Sequence, residues 1–195
     1  MKAVTEAGEL PLRGNQLAVN FVNTVSDVRA GEREFLDTPS ALVAWARHAG
    51  AVDDVESQQL TRAVRANPRA ARSDHARALD LRRGLTRILT GTQTSDDVEL
   101  VDWHRRRSAT SHRLTAGQEL WSIEWNAAPD LKLVTCRVAD AFVRLATSER
   151  FHDIRQCDGP RCGWLYVDTS RGHRRRWCSM DDCGNRNKVH RFRAH

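Results

Sequence analysis

The chain has 195 residues, 40% of them hydrophobic, enough for one good core with a small module appended. It contains no run of eighteen apolar residues, which excludes a membrane-spanning helix. The net charge of +6 is unevenly placed: residues 1–149 hold 20 basic and 20 acidic side chains, whereas residues 150–195 hold 11 and 5, so a polyanionic partner is expected at the C-terminal part.

In chain order, residues 1–13 read as disordered and 11–14 as a breaker. Leu17, Phe21 and Val25 then recur every four residues beside Ala18 and Val22, one apolar face of a helix. Asn20 and Asn23 fall among these positions and read as structural hydrogen-bonding groups in preference to ligand contacts. Thr38 as cap, Pro39 in the first turn and Gly50 as stop signal a second helix, with Leu42, Trp45 and Ala49 inward. Helical spacing continues over 54–65, breaks at Asn67 and Pro68, and resumes over 70–90 with Leu81, Leu85, Ile88 and Leu89 on one side. Ser95 reads as the cap of a further helix, with Asp96 and Asp97 at its positive end and Arg105, Arg106 and Arg107 at its negative end.

From 110 to 125 the period changes. Leu114, a turn at Gly117, and Trp121, Ile123 and Trp125 alternating with Ser122 and Glu124 predict a β-hairpin. Pro129 opens a long helix in which Leu131, Val134, Val138, Phe142 and Leu145 keep helical spacing and Cys136 is a small buried thiol. The pattern fades at 148–150, which divides the chain into 1–149 and 150–195. With no low-complexity linker between them, the two parts are expected to pack together.

The C-terminal part is organised around four cysteines. Cys157 and Cys162, then Cys178 and Cys183, form two pairs of the same design, each with four residues inside the pair and a glycine after it, and fifteen residues separate them. Two such turns can present four thiolates to one tetrahedral zinc ion. Gly163 and Gly184 are expected at positive φ, bringing backbone amides close to the sulfurs. No secretory signal is evident near Met1, so a reducing cytosol is expected, where metal binding is favoured over disulfides. Four cysteines close the coordination shell, which makes the zinc structural and leaves His173 and His190 as surface residues.

Trp164, Leu165, Tyr166 and Val167 read as a strand, with Arg175, Arg176 and Trp177 returning as its partner, Tyr166 and Trp177 in core roles, and 184–193 as a helix with Asn185, Val189 and Phe192 inward. Knuckle, hairpin and terminal helix make a treble-clef-like module. The whole chain is then α+β, mainly α, with a helical N-terminal domain that carries one β-hairpin.

Cys183, Gly184, Asn185 and Arg186, preceded by Asp168, Arg171, Arg175, Arg176, Trp177 and Met180 and followed by Lys188, resemble the CGNR zinc-finger family of bacterial proteins. In that family the finger usually follows a helical domain called ABATE, which residues 17–24, 42–50 and 81–85 of this chain resemble. The resemblance implies a transcription regulator induced by stress.

The charge and the resemblance converge on nucleic acid. Candidate contacts are Arg174, Arg175, Arg176, Arg186, Lys188, Arg191 and Arg193, to duplex DNA first and RNA as the alternative, because each phosphate neutralised releases counterions. Trp177 and Tyr166 are read as core residues and not as base-stacking platforms. Asn185 and Arg186 serve equally well as supports of the zinc knuckle, together with Gly163 and Gly184.

No catalytic constellation is present: the eight histidines are scattered, and His104 beside Asp102 reads as an ordinary surface pair. No enzyme activity is therefore expected. Two other readings stay open, a zinc-stabilised clip that docks a protein partner, a second copy included, and a helical domain that binds a small effector or catalyses an unrecognised reaction. As a DNA-binding protein the chain would be cytoplasmic and nucleoid-associated.

Overall fold

In a computed structural model of the chain, the described residues are 6–26, 33–117, 120–125 and 130–193, the side chains of 190–193 excepted. Packing centres on α1 (Leu17–Val22), in which every residue after the first is buried. This helix is shorter than its apolar spacing predicts. Asn23 closes it by bonding back to Val19 O, and Val25 leaves to bridge Glu34.

The caps lie close to the predicted places. In α2 (Pro39–His48) the Thr38 hydroxyl accepts from Ala41 N at 3.1 Å, Leu42 and Trp45 are fully buried, and Gly50 stops the chain at φ +69°. The Phe21 ring of α1 lies 5.1 Å from the Trp45 ring. Residues 6–13 are ordered, contrary to the expectation from sequence. A 3-10 turn, Ala7–Glu9, packs on α2 and buries Ala7 and Leu10, whose spacing of three suits a single turn against an apolar face. Residues 1–5, also expected to be disordered, lie outside the described residues.

Helices α3 (Asp54–Ala66) and α4 (Pro68–Leu89) are separated only by Asn67, whose side chain caps α4 through Ala70 N. The cap of α5 (Ser95–Ser111) is Thr94, one residue before the one expected. The buried Asp97 carboxylate decides it, since it accepts from Thr94 N at 2.9 Å and also binds Arg87. Because α5 continues to Ser111, Arg105 and Arg106 sit inside the helix and pair with Asp102 instead of closing its end.

His104 is not a surface residue. It is 2% exposed, unpaired with Asp102, and its Nε2 has no hydrogen-bond partner. Strands β1 (His112–Ala116) and β2 (Trp121–Trp125) form the expected hairpin with Leu114 opposite Ile123. Helix α6 (Lys132–Ala146) packs on α1 and α5, and Cys136 is buried in it, its thiol pushed up to about 11 by burial. Pro129 lies outside the described residues.

Beyond α6, β3 (Ile154–Gln156) and β4 (Leu165–Val167) pair antiparallel. Leu165 and Val167 belong to the same apolar core as Phe21, Trp45 and Leu81, so the cysteine module is joined to the helical part through shared packing. The predicted pairing of β4 with 175–177 is replaced by the β3 ladder. Residues 175–176 instead run beside the module as a loop, held where the Tyr166 hydroxyl donates to Arg175 O and Asp158 N to Arg176 O. No helix of the described residues is long and apolar enough to cross a membrane.

Candidate metal centre

Two short turns build the cluster. The first spans 157–163, where Cys162 N bonds to Gly159 O and Gly163 takes φ +77°. The second is a π-helical turn, Met180–Gly184, running directly into α7 (Asn185–Arg193), so Cys183 is presented from a helix start. All four cysteines, Cys157, Cys162, Cys178 and Cys183, are buried, and their sulfurs lie within 4.8 Å of one another. Cys178 Sγ is 3.6 Å from Cys162 Sγ and 3.5 Å from Cys183 Sγ. Tetrahedral zinc with bonds of about 2.3 Å needs sulfurs about 3.8 Å apart, so the cage has the right size.

The donor chemistry fits as well. Hydrogen bonds from Cys162 and Cys178 push the Cys157 thiol down, and the contact with Cys157 pushes Cys162 and Cys178 up, so four thiols this close share protons. A divalent cation removes that conflict by allowing all four to ionise. The residues present therefore hold one structural zinc, and four sulfurs leave no open position for a reacting water. When bound, the ion supplies a cross-link between the two turns.

Around the sulfurs the protein provides donors. Cys157 Sγ accepts from Cys178 N at 3.2 Å and Gly159 N at 3.4 Å, and Cys183 Sγ accepts from the Arg186 guanidinium at 3.1 Å. Gly159 was not singled out from the sequence. A Cβ there would lie 3.1 Å from Cys162 Cβ and 3.3 Å from Cys183 Sγ, so any side chain would crowd the cage. Its only signal in the sequence is its place within the first pair.

Of the two glycines that were singled out, Gly163 has the expected positive φ and Gly184 does not. Gly184 lies in the helical turn, where a Cβ would meet Met180 Sδ at 2.9 Å. Asn185 is exposed, its amide donating to Asp181 O, and Val189 is 51% exposed, so neither faces inward as expected. The helix is aimed by its continuity with the second turn and not by an apolar face. The side chains of His190, Arg191, Phe192 and Arg193 lie outside the described residues.

The remaining cationic candidates separate into two groups. Arg175 and Arg186 serve the module itself. Arg175 reaches back to the carbonyls of Trp177 and Cys178 over the Tyr166 ring, and Arg186 binds Cys183 and Asp182. Arg174, Arg176 and Lys188 are exposed, with Arg176 paired to Asp158. Tyr166 is fully buried, in the core role expected for it, and Trp177 is half-buried against the cysteine cluster. His173 is exposed, with Nδ1 3.0 Å from Asp153, and is no ligand of the cluster.

Contacts to the helical part complete the site. Asn23 donates to Leu165 O at 2.8 Å and accepts from Leu165 N at 2.9 Å, Asn15 donates to Val167 O, and Arg13 meets Asp182 at 3.5 Å. Asp182 thus stands between Arg13 of the N-terminal part and Arg186 of the knuckle.

Two family models match the chain. The model described as "CGNR zinc finger" matches residues 154–195, and the ABATE model, described as "Putative stress-induced transcription regulator", matches residues 15–149. No curated protein matches the chain.

Proposed function

The chain belongs to the ABATE family and carries a CGNR zinc finger, and on that premise we propose that it is a DNA-binding transcription regulator in which a structural zinc holds a cationic module against duplex DNA. The observation that carries this reading is the charge distribution. The module holds 11 basic and 5 acidic residues against an electrically balanced helical part, and four thiolates with one zinc ion still leave it near +4. Arg161, Arg171, Arg174 and Lys188 are exposed and make no ion pair among the described residues, so phosphate contact costs them no existing partner. Arg174, Arg176 and Lys188 are the proposed backbone contacts, while Arg175 and Arg186 act by shaping the module. In this reading the helical part is the regulatory half, responding to an effector, and no catalytic step is involved.

A second reading is favoured by the Asn23 to Leu165 bonds and the shared core. Under it, the finger is a zinc-stabilised clip for the helical part and docks a protein partner. Fluorescence anisotropy with the zinc-loaded chain and duplex DNA separates the two. Affinity is expected to fall steeply as salt rises, and Arg174→Ala or Lys188→Ala to lower the salt slope by about one each. A folded, zinc-loaded protein without salt-dependent affinity for DNA would leave the clip reading standing.

A further inference from the structure

Where the hairpin springs from the end of α5 beside α6 there is an open cleft of about 600 Å³, a size typical of small-molecule sites. The floor is one face of α6. Arg137, Asp140 and Arg144 line it at spacings of three and four residues, which place them in a row along the helix. Leu17, Ile123 and Trp125 supply apolar walls.

The polar groups of this cleft differ in what they have left to offer. Arg137 is held by both oxygens of Glu56 and by Ala51 O, with its guanidinium 5.2 Å from the Trp125 ring centroid, so it fixes the wall and is already satisfied. Asp140 accepts the Ser108 hydroxyl. Arg105 is shared with Asp102. Arg144 is exposed and makes no ion pair among the described residues. His112 lines the cleft with its ring 5.4 Å from that of Trp125, and its buried Nδ1 has no hydrogen-bond partner.

One uncommitted guanidinium and an aromatic wall select a ligand with a single negative charge and a flat apolar body. With Arg137 paired to Glu56 and Arg105 to Asp102, Arg144 is the cleft arginine left without an ion pair among the described residues, which suits one negative charge and not several. Ile123, 62% exposed at the rim, gains cover only when something occupies the space beside it. We propose that this cleft is the effector site of the protein and binds a small aromatic carboxylate, with the carboxylate on Arg144 and the ring against Trp125 and Ile123. The inference rests on the regulatory role proposed above for the helical part. Binding is measured without DNA, so its failure and a failure of DNA binding are distinguishable.

The experiment is isothermal titration calorimetry of the zinc-loaded full chain with 2-naphthoate and with its neutral counterpart, 2-naphthamide. One naphthoate per chain is expected, with the amide at least about tenfold weaker. Arg144→Glu should weaken naphthoate by a similar factor and leave the amide unchanged, whereas Arg62→Glu, on an exposed part of α3 away from the cleft, should change neither. Backbone amide shifts on naphthoate addition should centre on Ala51 and Ala109, which line the cleft. Equal affinity for acid and amide, naphthoate binding unaffected by Arg144→Glu, amide shifts elsewhere, or no binding up to millimolar naphthoate would each overturn the proposal.

Discussion

Arg186 faces two ways in the sequence, since a cationic residue near a helix start suits a phosphate as well as a thiolate. Its guanidinium lies 3.1 Å from Cys183 Sγ and 3.1 Å from Asp182, so its polar contacts are made within the module although the side chain is 46% exposed. Arg186→Ala is accordingly expected to lower stability and zinc retention together, by about 1.5 to 3 kcal/mol, the range for hydrogen bonds to charged groups. Thermal unfolding with parallel metal analysis checks this; an unchanged Tm with weakened DNA binding would return Arg186 to the DNA-facing group. His104 makes a prediction of a different kind. Burial, helped by Arg107 and Arg77, lowers it from 6.5 to about 4, so it is neutral in the folded protein while the unfolded chain takes up a proton as pH falls below 6.5. Stability contributed by the neutral ring is therefore intact above pH 6.5 and lost as pH falls from 6.5 to 4, by roughly 3 kcal/mol. In denaturant titrations across that window His104→Leu should lack this slope, and equal slopes in the two proteins would show that the imidazole titrates normally.

At the scale of elements, β4 matters more than its three residues suggest. It closes the β3 ladder on one side and docks on the other, where the Asn23 side chain serves both the N–H and the C=O of Leu165 and Gly14 O and the Asn15 side chain hold Val167. Asn23→Ala would leave both buried backbone groups without partners, at an expected cost of about 2 to 4 kcal/mol. Chemical denaturation of the full chain measures it, and a loss below about 0.5 kcal/mol would mean that water or a local shift replaces the side chain. Helix α1 ends at this residue, where Thr24 N bonds to Phe21 O and Val25 bridges Glu34. The hairpin behaves differently. Its alternation was plain in the sequence, yet Leu114, Trp121 and Ile123 on one face are more than half exposed, so a pattern that usually marks a core here marks a surface.

For the whole molecule, the shared core means that zinc stabilises more than its own module. Leu165 and Val167 are 4% and 1% exposed within the core that also contains Phe21 and Leu81. Chelation should release the cysteine turns, free β4 and lower the Tm of the helical part as well, read as the loss of far-ultraviolet helical signal on heating with and without chelator. The fragment 1–149 should keep helical circular dichroism at a lower Tm than the full chain, because it lacks the strand that covers α1. A helical Tm indifferent to both changes would show two independent units. Much of this was legible beforehand. Paired cysteines at equal spacing specify a metal cage because four thiolates need only two turns and no distant partner, and caps, stops and apolar periods are read within a few residues of where they act. What tertiary structure alone decided is the distant partner of each polar group: Asn23 for Leu165, Asp97 for Arg87, β3 in place of 175–177 as the partner of β4, and the burial of His104. These depend on which surfaces meet after the helices pack. Proximity across a core has no period in the sequence, so hydrogen-bonding capacity can be read there but its partner cannot.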